Sequence, residues 1–211
     1  MLTLFFTAMA LATVFNAAPG PVFAETVRQG LRGGWRAALA VQFGSLSGDA
    51  LWALLGLAGV GLVLRIDLLR LPIALAGIAY LLWLAWDAWR ESALARPAPA
   101  SLPHAQAALR SGVMLSITNP QNVAYWAALG SAMGAVGVAD PTPEHYVVFF
   151  AAFMTASFAW SFVAAGLAHV MVGRAAGGWA RVIYRAIALA FVLLALGATH
   201  AMWQQFGAPA G

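Results

Sequence analysis

The sequence predicts an all-α integral membrane protein, with six transmembrane helices forming two inverted three-helix repeats. The first helix of each repeat is expected to be broken. Three observations lead there. The 211 residues are 63% hydrophobic and only 9% charged, with a mean hydropathy of +0.82, whereas ordinary globular domains carry roughly 25% charged residues. Apolar runs long enough to cross a bilayer recur along the chain. Prolines interrupt the first such run of each half at corresponding places.

A spanning helix needs about 20 mostly apolar residues. The runs that meet this are Leu2–Ala18, Ala37–Leu64, Leu71–Trp89, Ser111–Val138, Tyr146–Val172 and Ala186–Phe206, with the first able to continue past its prolines. They are expected to be helices, because lipid offers no partner for an unpaired backbone group. No period-2 alternation supports a barrel.

Arginine supplies every basic side chain, and its distribution orients the protein. Arg28, Arg32, Arg36, Arg90, Arg96, Arg110, Arg174, Arg181 and Arg185 fall on one side of a six-span layout. Only Arg65 and Arg70 fall on the other. This asymmetry predicts a cytoplasmic face for the nine and outward-facing termini. The same arginines explain a basic pI of about 10.3 without invoking nucleic acid. The initial apolar run has no Lys or Arg before it, which disfavours a cleaved signal peptide.

Residues 97–107 (PAPASLPHAQA) interrupt the hydropathy and read as a cytoplasmic linker. They separate an N-terminal repeat, residues 1–96, from a C-terminal repeat, residues 108–211. Three spans per half make the second half enter the membrane from the opposite side, a common transporter architecture. Pro19-Gly20-Pro21 breaks the first span and Asn119-Pro120 the fourth. Counted from Arg32 and Arg110, the breaks lie roughly 20 Å and 15 Å deep at 1.5 Å per residue, near the middle of a ~30 Å core. A single proline reads most simply as a tolerated kink. Two at matching depth, beside Asn16, Thr118, Asn119 and Asn122, point to a binding site at the repeat interface. The helix beginning after each break offers unpaired N–H groups to an anion, and carbonyls before it can hold an ammonium group.

Asp49 is the one carboxylate expected deep in a span, about 20 Å from the Arg36 level. An ionised carboxylate there is costly, so it takes up a proton, finds a cationic partner, or simply bonds a neighbouring helix as a structural acid. Asp67, Asp87, Glu91, Asp140 and Glu144 are expected in loops or near helix ends. Gly44 and Gly48 beside Asp49 read as close-packing residues. Gln42, Ser45 and Ser47 either line a path or bond within the bundle. The nine tryptophans read mostly as an interfacial belt. With no cysteine in the chain, disulfides and thiolate metal sites are excluded. No His–carboxylate pair has metal-ligand spacing. Neither a nucleotide loop nor a nucleophile–base set is present, so no cofactor, ATP drive or enzymatic activity is expected.

The PGP of Pro19–Pro21, the GLRGGWRAALAVQFGSLSGD of Gly30–Asp49 and the TNPQNVAYW of Thr118–Trp126 resemble the LysE/RhtB family of amino-acid exporters (LysE-type translocators). In that family a lysine usually follows the second Asn-Pro, where Gln121 stands here. The resemblance implies a secondary exporter of an amino acid or related small solute, driven by an ion gradient. The expected substrate contacts are Asn16, Pro19, Gly20, Pro21, Gln42, Asp49, Thr118, Asn119, Pro120 and Asn122, with Asp49 coupling transport to protons. Small-residue faces permit a homodimer. Two other readings stand beside it: a metal-ion exporter of similar fold, and a non-transporting membrane assembly or scaffold protein.

Overall fold

In the computed structural model the described residues are 1–17, 20–57, 67–93, 102–119, 138, 140–173 and 179–206. Among them every regular element is a helix: α1 Leu2–Ala17, α2 Pro21–Leu57, α3 Asp67–Ala93, α4 Leu102–Ile117, α5 Pro143–Gly173 and α6 Trp179–Phe206. Four of these, α2, α3, α5 and α6, are long and apolar enough to cross a membrane.

α2 is not a straight rod. Its 37 residues would reach roughly 56 Å at 1.5 Å per residue, nearly twice the apolar core of a bilayer. At Gly34 the backbone turns to φ 66°, ψ −160°, a region essentially open to glycine alone. The Gln42 amide donates to the Thr26 hydroxyl at 2.7 Å, although sixteen residues of straight helix would hold them about 24 Å apart. The helix therefore folds back at Gly34 into two arms, residues 21–33 and 35–57. The second carries the run expected from Ala37 onward.

The two expected breaks coincide with helix ends. α1 and α4 are each 16 residues long and begin 100 residues apart. α1 stops at Ala17, and the helix restarts at Pro21, where the Ala24 N–H donates to the Gly20 carbonyl at 3.1 Å. Proline suits the first helical position, since its missing N–H would have had no partner there. Pro21 thus starts a helix as much as it ends one. α4 closes with the Thr118 N–H on the Met114 carbonyl at 3.0 Å, immediately before Asn119. α4 itself begins at Leu102, so residues 102–107 of the expected linker are helical. Pro103 is accommodated in the first turn.

α2 packs most extensively against α4 and also against α5; α1 packs on α5, and α3 on α6. Glycine permits the closest of these approaches. A Cβ on Gly44 would overlap the Leu109 carbonyl oxygen, one on Gly112 the Val41 carbonyl oxygen, and one on Gly48 would lie 2.6 Å from the Ser116 side chain. Close approach of this kind is how membrane helices gain contact without a hydrophobic driving force. Phe43 of α2 stacks on Phe158 of α5, with ring centroids 5.9 Å apart, and meets Phe162 edge-on. The outer surface is apolar: Leu82, Trp86, Val147, Leu189 and Leu193 all face outward, as a lipid-facing surface requires.

The charges differ from expectation in one respect. Arg28, counted from the sequence among the nine arginines of the cytoplasmic face, is fully buried in the first arm of α2 together with Glu25. Asp87 and Glu91 occupy the last two turns of α3 and face that arm. The charge count could not show this burial, because the helix after the break carries its polar residues inward, toward α3 and α4.

Candidate functional site: a polar cavity at the helix breaks

A cavity of about 150 Å³ lies where the break of the first span meets α2 and α5. Its lining includes Asn16, Gly20, Pro21, Gln42, Asp49 and Asn119, together with Ser45, Ser157, Trp160 and Ser161. Of the residues expected from the sequence to touch a substrate, the structure therefore brings six to one space. Thr118 is not among the lining residues; its hydroxyl donates to the Met114 carbonyl at 2.7 Å. Pro19, Pro120, Gln121 and Asn122 lie outside the described residues.

Each wall has its own chemistry. Val22 and Phe23, in the first turn of the arm that begins at Pro21, line the cavity. The leading N–H groups of an α-helix have no partner within it, and its dipole favours negative charge there. Asn16 stands opposite, at the end of α1. Its amide donates to the Ala12 carbonyl at 2.7 Å and to the Ser157 hydroxyl at 2.9 Å, fixing the end of α1 against α5. Gln42 is held by Thr26, which in turn donates to the Val22 carbonyl at 2.7 Å.

Asp49 is buried, and Oδ1 accepts a hydrogen bond from Ser116 Oγ at 2.7 Å. Ser116 lies on α4, one turn before the second break, so this bond ties the deep acid to the helix that ends there. Gly48 leaves the room for it. The Trp52 indole N–H donates to the Ser116 carbonyl at 3.3 Å and holds the same turn of α4 from the other side.

Ser157 and Ser161 escaped the sequence reading. They lie four residues apart in an otherwise apolar helix, the spacing that puts two side chains on one face, and that spacing was the available signal. Ser47, weighed as a path residue, instead donates to the Phe43 carbonyl and faces outward.

One further constellation was missed. Arg28 donates through Nε and Nη2 to the two oxygens of Glu25, at 2.6 and 2.8 Å, and through Nη1 to Asp87 at 2.7 Å. Glu25 also accepts from Gln29 at 2.7 Å and from Ser111 of α4 at 2.6 Å. Arg32 lies 3.0 Å from Glu91 and 3.9 Å from Asp87. The Glu25–Arg28 (i, i+3) and Asp87–Glu91 (i, i+4) spacings were its only sequence signal. Among the described residues, no three His, Cys, Asp or Glu side chains gather as a metal-holding group.

Comparison with known proteins supplies the family. The model of the LysE type translocator family matches residues 13–201. The chain is 43% identical over 188 residues to the "Chemotactic transduction protein ChpE" of Pseudomonas aeruginosa, covering 87% of this chain and 91% of that one. It is 30% identical over 190 residues to the "Uncharacterized membrane protein YahN" of Escherichia coli K12, covering 87% and 82% of the two. It is 27% identical over 137 residues to the "Threonine efflux protein" of Salmonella typhi, covering 62% and 66%. No solved structure matches the chain. With the family match running over nearly its whole length, the chain belongs to the LysE type translocators, a family of membrane transporters.

Proposed function

We propose that the protein is a secondary exporter of a small amino acid or a close derivative, working as two inverted three-helix repeats in the bacterial inner membrane. The observation that carries this reading is the cavity at the first helix break, where Asp49, Asn16, Gln42 and Asn119 converge. The substrate carboxylate faces the N–H groups of Val22 and Phe23 at the start of the first arm. Its ammonium group approaches Asp49. The volume supports a small solute, since a cavity of about 150 Å³ holds a molecule the size of benzene. The relative described as a threonine efflux protein supports the same class.

Asp49 is the proposed coupling group. Protonation from outside neutralises it and releases the ammonium group; loss of that proton inward restores the site. The two pseudo-equivalent breaks and the nine-to-two distribution of arginines support inward-facing basic loops and outward-facing termini. Transport of radiolabelled threonine in proteoliposomes under a pH gradient tests the coupling. Asp49→Asn is expected to abolish gradient-driven accumulation, and accumulation at the wild-type rate would remove Asp49 from the mechanism.

A second reading has one observation in its favour, the 43% identity to a protein described as acting in chemotactic transduction. A signalling protein built on this fold would bind a solute at the same cavity and move none. The same assay separates the two, because a signalling protein leaves the vesicle contents unchanged.

A further inference from the structure

The buried charge cluster beyond the cavity contains one carboxylate that its neighbours do not satisfy. Glu25, Asp87 and Glu91 face Arg28 and Arg32, so three acids share two guanidinium groups. The donors of Arg28 are already committed. Arg28 gives a bidentate pair to Glu25 and its remaining amine to Asp87, leaving Glu91 Oε1 3.6 Å from Nη1. Arg32 Nε comes within 3.0 Å of the same oxygen, yet neither Glu91 oxygen, both shielded from solvent, receives a hydrogen bond. The Gln29 carbonyl oxygen, buried beside Glu25, is also without a partner. A buried carboxylate without donors is costly as an anion. Taking up a proton gives up the contact with Arg32, removes the excess charge, and leaves the pairs of Arg28 with Glu25 and Asp87 intact.

We infer that Glu91 is a second proton-binding site of the transporter, placed on its arginine-rich side and separate from Asp49. The inference rests on the transport reading for its role in the cycle, though not for the proton itself. The position suits such a role. Glu91 lies near the end of α3, with its side chain 11% exposed, while Arg32 and Asp87 beside it are about one-third exposed. Protons can therefore reach the cluster from that side. Glu25, at its other end, stands five residues from Gly20 in the lining of the cavity, roughly 7 Å along the helix. Ser111 carries the cluster to α4, the helix that ends at the second break.

The groups around Glu91 are Glu25, Arg28 and Arg32 from α2, Asp87 from α3, and the Tyr184 hydroxyl of α6, which lies within electrostatic reach. Tyr80 of α3 stands beside Ser111, and Arg185 of α6 stacks over Trp89 at 5.6 Å. An added proton at Glu91 strengthens the hold of Arg28 on Glu25 and Asp87 by removing a competitor. An ionised Glu91 draws Arg28 and Arg32 toward α3 and loosens the arm next to the cavity.

Two measurements on the full-length protein in liposomes test this. Infrared titration should show a protonated carboxyl band that disappears in Glu91→Gln and persists in Asp49→Asn; a band unchanged in Glu91→Gln overturns the assignment. With radiolabelled threonine, Glu91→Gln should keep exchange across the membrane while its accumulation ratio falls about tenfold per unit of imposed pH difference, the factor carried by one coupled proton. Glu91→Asp should recover part of that accumulation. Wild-type accumulation in Glu91→Gln, or exchange lost together with accumulation, overturns the role in transport. Should the wild type move no threonine, the transport reading fails for that solute, while the infrared result still decides whether Glu91 binds the proton.

Discussion

Ser116 on α4 donates a hydrogen bond to Asp49 on α2 at 2.7 Å, across a helix interface closed by Gly48. The acid proposed to couple transport to protons is thus fastened to the helix that ends at the second break. Removing the donor with Ser116→Ala leaves a buried acid short of a hydrogen bond and should cost about 1–3 kcal/mol. Thermal unfolding in detergent, followed by tryptophan fluorescence, reads that loss. Asp49→Asn keeps an oxygen that accepts from Ser116, so it should unfold close to the wild type while losing gradient-driven accumulation.

Backbone contact between α2 and α4 makes a second prediction. Gly44 and Gly112 each face a carbonyl oxygen of the other helix with no room for a Cβ. Gly44→Ala and Gly112→Ala should therefore force the helices apart and destabilise the protein by about 1–3 kcal/mol or more, as overpacking does. Gly197→Ala is the control. Nothing lies within 4 Å of a Cβ placed there, inside α6, so its stability should hold or rise by up to about 1 kcal/mol through helix propensity.

Arg28 is the most heavily bonded cation among the described residues, and it is 1% exposed. Truncating it to Gln strands the buried Glu25, takes the nearest cation from the partly exposed Asp87, and should cost about 3–5 kcal/mol. The double change Glu25→Gln with Arg28→Gln removes both halves of the pair and should recover much of that loss. A double-mutant cycle on unfolding free energy measures the difference.

The hairpin at Gly34 stores no steric crowding, since no atom lies within 4 Å of a Cβ placed there. Its cost would be purely conformational. Gly34→Ala should destabilise by about 1–3 kcal/mol and weaken the Thr26–Gln42 bond that holds the two arms together. Comparing unfolding of Gly34→Ala with that of Gln42→Ala separates the turn from the bond.

Much of this was legible because lipid leaves the chain few options. An apolar run must be a helix, and a Pro-Gly-Pro within one must end a helix and start another. Asn16, Gln42 and Asp49 could be singled out as polar groups at membrane depth. The inward face of the first arm was not legible in the same way. Arg28 was counted with Arg32 and Arg36 on the cytoplasmic face, and a charge count records which side of the membrane a residue favours, not whether a partner waits for it on another helix. Asp87 and Glu91 are that partner, 59 and 63 residues further on. Nothing local to either segment reports the pairing. Ser157 and Ser161 were lost among the small residues of α5 for a related reason: a serine in a membrane helix usually bonds its own backbone, and only the position of Asn16 shows that Ser157 also does otherwise.

Transport itself is the most direct measurement of the central claim. The wild-type chain reconstituted in liposomes, given radiolabelled threonine and an imposed pH gradient, should accumulate the amino acid against its concentration. Unlabelled alanine and serine should compete, and dissipating the gradient should stop accumulation. Label that stays at the level of protein-free liposomes, across threonine, alanine and serine alike, would contradict the account.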